Sequence, residues 1–234
     1  ARGDVVTLDC GMKSITHEFG QPQVMSPPGL GPARLSEEHG RCAIEEGPCT
    51  LSLGGVRQLD TPQLAVRPTD RIALTGPNGA GKSTLLHWLF PQLNAPAEHV
   101  TYVPQEIDAQ ECRAILEQAQ TLPDEELGHL MTIVSRLGSR PHRLLESDEP
   151  SPGETRKLLL ALGMTRKPHM IIMDEPTNHM DLPSIECLET ALADCPCSLL
   201  LVSHDRRFLE RLTRIEWRID RQAGLPDNFT LHVP

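Results

Sequence analysis

The chain has 234 residues, of which 38 % are apolar and 3 % aromatic, and a formal net charge of −10. That length allows one large domain, or one domain with a small lobe, around a sizeable core, and the acidic balance argues against a strongly basic nucleic-acid footprint over the chain as a whole. No apolar run approaches the roughly 20 residues that cross a bilayer and the N-terminus lacks a basic-then-apolar signal pattern, so a cytoplasmic protein without membrane insertion is expected.

In chain order, residues 1–48 read as a variable N-terminal extension or linker. "GQPQVMSPPGLGP" (20–32) is dense in Pro and Gly, "EEHGRCAIEEGP" (37–48) is acidic and broken, and one strand is predicted at "DVVTL" (4–8). The chain opens on Ala1 rather than Met, which suggests processing or excision from a longer protein. From "CTLSL" (49–53) onward, strand and helix signals alternate. "RIALT" (71–75) is a short apolar strand that ends at a Gly-rich turn, and "KSTLLHWLF" (82–90) reads as a helix. "HVTYV" (99–103) is a further strand. Residues 108–138 read as helical, with Ile115, Leu116, Ala119, Leu127, Leu130, Met131 and Val134 as the apolar positions. "GETRKLLLALGM" (153–164) is another helix, and the strands "MIIM" (170–173) and "SLLLVS" (198–203) flank a helix over about 183–193. The later strands are apolar throughout rather than alternating, as in a parallel sheet buried on both faces. Together these signals predict a doubly wound α/β fold. Seven cysteines, with Cys195 and Cys197 the closest pair, follow no metal-ligand rhythm and are expected as reduced thiols.

"GPNGAGKST" (76–84) fits G-x-x-x-x-G-K-[ST] between a strand and a helix. Glycine lets backbone N–H groups turn inward around phosphate oxygens, and the following helix aims its positive end at the same anion. The candidate nucleotide-binding residues are Gly76, Pro77, Asn78, Gly79, Ala80, Gly81, Lys82, Ser83 and Thr84. Lys82 adds a charge near the β- and γ-phosphates, and the Ser83 hydroxyl is a candidate Mg²⁺ ligand. A nucleoside triphosphate with Mg²⁺ is the ligand implied.

A Mg·nucleotide needs an acid at the end of a neighbouring strand. Asp174, after "MIIM", is the candidate for the metal, and Glu175 beside it is the candidate for polarising the attacking water. Two adjacent carboxylates at a buried strand end are costly unless a cation lies between them. His204, in the strand-end "SHD", is a candidate γ-phosphate contact. Gln105, just past "HVTYV", is a candidate for reaching the metal or the attacking water.

This set resembles an ABC-type ATPase domain. The 76–84 loop, Gln105, "SPGE" (151–154), "MIIMDEP" (170–176), Asp181 and His204 occur in that superfamily's order and approximate spacing, over roughly residues 50–220. The resemblance implies a P-loop ABC ATPase nucleotide-binding domain over 49–234. It would have a mostly parallel core sheet, an antiparallel β subdomain and a short helical lobe at about 106–167. It implies hydrolysis of ATP by water to ADP and phosphate. It also makes "SPGE" a signature motif, in which Ser151, Gly153 and Glu154 meet the nucleotide of an opposing domain, with Asp181 at the domain interface. The motif departs from the family at Pro150, where Leu is common, and at Pro152, where Gly is common. Proline removes one N–H donor but presets φ for a helix start. A further departure is the lack of an aromatic near Leu53–Val56 to stack on adenine; the one earlier aromatic is Phe19.

Within the superfamily, "TNHMD" (177–181) resembles the ABC-F branch of soluble proteins that mostly act on ribosomes. Sixty-nine positions separate Lys82 from Ser151, a short interval for the lobe with which transporters grip a membrane partner. The resemblance therefore implies one half of a two-domain ABC-F protein, or a dimerising half. Its partners would be a second ATPase domain and a ribosome, in translation or antibiotic protection, with no DNA. An isolated half would hydrolyse ATP slowly. The alternative is the ATPase subunit of an ABC membrane transporter.

Overall fold

The computed structural model describes residues 44–93, 95–145, 150–178 and 180–234, and before them the backbone of three short strands. These are β1 (Val6–Leu8), β2 (Ile15–His17) and β3 (Val24–Met25); β1 pairs with β2 antiparallel. The predicted strand at 4–8 corresponds to β1. Phe19 and most of the stretch read as an extension or linker (1–48), residues 26–43 among it, lie outside the described residues.

Next come β4 (Ile44–Glu46), β5 (Cys49–Ser52), β6 (Gln58–Thr61), β7 (Leu64–Val66) and β8 (Arg71–Thr75). Helix α1 (Lys82–Leu89) and β9 (Val100–Val103) lead into α2 (Ala109–Gln120), α3 (Asp124–Arg136), α4 (Pro141–Leu145) and α5 (Pro152–Thr165). The chain ends with β10 (Met170–Asp174), α6 (Leu182–Asp194), β11 (Ser198–Val202), α7 (Arg206–Leu212), β12 (Ile215–Gln222) and β13 (Leu225–His232). The stretch read as helical over 108–138 is two helices. Pro123 has no N–H to donate and keeps the residue before it out of the helical region, so α2 ends at Gln120 and α3 starts after the proline.

The main sheet runs β3-β5-β6-β13-β12-β8-β11-β10-β9. From β12 to β9 all neighbours are parallel, whereas β3–β5, β5–β6 and β12–β13 are antiparallel, and β4 pairs antiparallel with β7 outside that sheet. The fully apolar strands are the central ones. Ile171, Met173, Leu199 and Leu201 pack into a core with α2, α3, α5 and α6, while Met170, Ile172, Leu200 and Val202 pack into a second core with α1. Alternation along each strand therefore feeds two buried layers, so a polar residue on either face would be buried without a partner.

The register aligns the strand ends that carry the motifs. Asp174 lies opposite Val202, Val202 opposite Leu74, and Met173 opposite Val103. Loops leaving four parallel strands thus open on one edge of the sheet, where ligands of open α/β sheets bind. Helix α5 crosses β9 closely at Gly163, where an added Cβ would stand 2.1 Å from the Thr101 Oγ1. Only glycine permits that approach, and it fixes the helix that begins with the "SPGE" motif.

Candidate functional site

The loop after β8 turns on glycines that need left-handed backbone. Gly76, Gly79 and Gly81 have φ of 147°, 74° and 95°. At Gly76 a Cβ would stand 2.8 Å from the Ile219 carbonyl oxygen, and at Gly81 it would stand 2.5 Å from Leu53 Cδ2. Gly81 is the N-cap of α1 and supplies no side-chain cap, and the first turn holds no acid. The first N–H groups of that helix therefore face the loop without competition from a side chain. Lys82 Nζ donates to the carbonyls of Gly76, at 2.9 Å, and Pro77, at 3.2 Å. Burial lowers its pKa, while Glu175 and Asp174 act in the opposite direction.

Ser83 Oγ donates to Asp174 Oδ2 at 2.6 Å, bridging the loop and the end of β10. Asp174 is 3 % exposed. Two hard oxygen donors, one of them a buried carboxylate, are therefore held together beside the phosphate cradle. That pairing suits Mg²⁺, which takes one or two protein oxygens and fills the rest of its shell from phosphate and water.

Glu175 is also buried and has φ of 48°, a left-handed conformation that costs a non-glycine residue about 1–2 kcal/mol. Its N–H donates to the Val202 carbonyl at 2.8 Å, which turns the side chain toward β11's end. There the His204 backbone N–H donates to Oε2 at 3.2 Å. The His204 Nε2 stands 3.3 Å from Oε1, near enough for an ion pair but out of line for a hydrogen bond, so buried Oε1 has no donor. A buried carboxylate oxygen left open at the edge of a phosphate cradle is a place for a water molecule. Burial raises the Glu175 pKa, against His204 and Lys82, and Asp174 adds to the rise.

That direction has a consequence for stability. The folded chain holds this proton more tightly than the unfolded chain, so stability falls as pH rises through and above the ordinary carboxylate range. Glu175→Gln is therefore expected to melt higher than wild type at about pH 8 and to lose that advantage near about pH 4. Melting curves at the two pH values decide this, and equal stability at the higher pH contradicts it.

Ser151 and Asp181 meet in a second cleft of about 410 Å³, between α4, α5 and the start of α6. Ser151 caps α5. Its Oγ accepts from the Glu154 N–H at 3.3 Å, and its own N–H and hydroxyl donate to Glu154 Oε2 at 3.1 and 3.0 Å. With Pro152 at N1 and the Glu154 N–H already bonded, the Gly153 N–H is the donor left in that turn. Asp181 caps α6 through the Ser184 N–H at 3.1 Å, and that bonding holds its exposed carboxyl below the usual range.

Two residues that the sequence reading missed couple this cleft to the acids. Buried Arg156 donates to the Asn178 carbonyl at 2.9 Å, and buried Lys157 donates to Ser184 Oγ at 2.7 Å. Their only sequence signal is a pair of cations on the inner face of an otherwise apolar helix. A third residue missed in the sequence stands at the phosphate loop instead: Arg57, whose Nη1 is 3.6 Å from the place a Cβ on Gly79 would take. Gln105 is exposed beyond β9 and makes no hydrogen bond to Ser83 or Asp174. The structure thus gathers Lys82, Ser83, Asp174, Glu175 and His204 at one site and Ser151, Gly153, Glu154 and Asp181 at another, with Gln105 exposed two residues past the end of β9. Among the described residues no helix is long and apolar enough to cross a membrane.

The family model described as ABC transporter matches residues 59–178. The chain is 31 % identical over 185 residues to the Bacillus subtilis protein named ribosome protection protein VmlR, covering 74 % of this chain and 34 % of that one. It is 30 % identical over 167 residues to bovine (Bos taurus) ATP-binding cassette sub-family F member 2, covering 65 % and 27 %. It therefore spans between about a quarter and a third of the length of these relatives. Among solved structures, a putative metal-chelate type ABC transporter superposes with a TM-score of 0.62 at 18 % identity, covering 82 % of this chain and 83 % of that one, which is a likeness of fold.

Proposed function

Because this chain belongs to the ABC-type ATPase family, with ABC-F proteins among its relatives, we propose that it is the ATP-hydrolysing half of a two-domain ABC-F protein that binds and releases the ribosome. The ATPase domain covers 49–234, with its helical lobe at about 106–167. ATP lies on Gly76 to Thr84 with Lys82 on its phosphates. Ser83 and Asp174 would hold Mg²⁺, which when bound offsets the phosphate charge. Glu175 accepts the proton of the attacking water at its open oxygen, His204 meets the γ-phosphate, and Gln105 swings in to complete the site. Ser151, Gly153 and Glu154 serve the nucleotide of the opposing domain, and Asp181 borders it. Closure of the two domains excludes water from the paired sites and hydrolysis reopens them, so an isolated half turns over slowly.

The observation that supports this reading most is the 2.6 Å bond from Ser83 to Asp174, with buried, open Glu175 next in sequence. The name of the Bacillus relative supports the ribosome as partner. In the full-length protein, Glu175→Gln is expected to pellet with ribosomes when ATP is present and to stay in the supernatant without it. ATP binding with no pelleting would shift the partner to a membrane protein, the transporter reading.

A further inference from the structure

The turn from β5 to β6, Leu53 to Arg57, carries no aromatic side chain, yet it packs on the phosphate loop at Gly81 and approaches it at Gly79. Leu53 packs beneath Gly81. Arg57 approaches Gly79, where its Nη1 stands 3.6 Å from the place a Cβ on that residue would take. The guanidinium is tethered in place. Its Nη2 donates to the Leu53 carbonyl at 3.2 Å, and the turn is closed by Leu53 N–H to Arg57 O at 2.9 Å and Arg57 N–H to Gly54 O at 3.4 Å. Positive φ at Gly54 and Gly55, 91° and 63°, makes so tight a turn possible. Arg57 forms no ion pair with any described acid. Of its five N–H donors, one bonds Leu53, which leaves four beside a loop built to cradle anions.

We propose that Arg57 is a nucleotide-binding residue that supplies a second cation to the phosphate chain beside Lys82. This rests on the nucleotide reading of the 76–84 loop. A guanidinium fork matches two phosphate oxygens at once, and its approach to Gly79 places it near the phosphate-cradling backbone. With no aromatic in the turn, binding energy comes from the phosphates and the base is read weakly. ATP and GTP therefore bind with similar affinity. The residue also explains how a site that lacks a stacking ring retains its ligand.

The test is titration of the full chain with a fluorescent ATP analogue, with GTP and inorganic tripolyphosphate as competitors. Arg57→Ala is expected to weaken ATP, GTP and tripolyphosphate by a common factor of roughly ten, the size of one lost charge-assisted contact. The exposed turn should leave the melting temperature unchanged. Unaltered affinity in the variant overturns the proposal, as does weaker ATP binding with unaltered tripolyphosphate, which would place Arg57 on the base. A strong preference of the wild type for ATP over GTP overturns the base-tolerant part. Lys82→Ala separates the two readings: a wild type that binds no better than Lys82→Ala removes the nucleotide site itself, whereas good wild-type binding with an indifferent Arg57→Ala removes only Arg57.

Discussion

Glu175→Gln is expected to slow ATP turnover in the full-length protein by roughly 10²- to 10⁴-fold, the usual worth of a general base, while Mg·ATP affinity stays near wild type. Glutamine keeps the size of the side chain, and its carbonyl can still accept the His204 N–H that now reaches Oε2 at 3.2 Å. What it cannot do is take a proton at the oxygen that is buried without a donor. The same carboxyl is expected to set the acid limb of the wild-type rate profile. Because burial raises its pKa, that limb lies above the ordinary carboxylate range, and the variant lacks it. Phosphate release and nucleotide affinity, each measured across pH, check the three statements together. Unchanged turnover would pass the base role to another group, and lost affinity would mean that Glu175 holds the nucleotide rather than the water.

Phe208→Ala is expected to cost about 3–5 kcal/mol of stability, or roughly 6–20 °C in melting temperature for a domain of this size. Phe208 is fully buried and sits in the first turn of α7, against the core that α2, α3, α5 and α6 share with the central strands. Its N–H donates to the cap, Asp205, at 3.1 Å, so the ring anchors the turn that carries His204. The loss should therefore reach the site as well as the core, with weaker protection of the His204 backbone from exchange even below the melting transition. Thermal unfolding and hydrogen exchange measure both. A variant within 1 °C of wild type would show that α7 is not held by this ring.

Much of the site was legible in the chain because its parts are local. The 76–84 loop carries its chemistry in consecutive residues, and its glycines occur where the φ values demand them. The apolar runs at 170–173 and 198–202 announced buried strands, so the acids and the histidine at their ends could be read as strand-end residues. The same logic failed over 108–138, where apolar periodicity outweighed Pro123, a single residue whose missing N–H ends one helix and begins another.

The sequence by itself determined the fold class, the phosphate loop, the order of the acids and the helix that opens at "SPGE", because each depends on neighbours a few positions away. Tertiary structure alone decided which of these meet. The parallel register brings Ser83 to Asp174 across 91 positions, and a backbone turn with positive φ lays Glu175 against the end of β11. It also decided that Arg57, unremarkable in the sequence, approaches the loop near Gly79, and that Arg156 and Lys157 tie the "SPGE" helix to the segment after the acids. Contacts of this kind depend on how strands stack and how closely a helix crosses them. No local pattern of residue types encodes that.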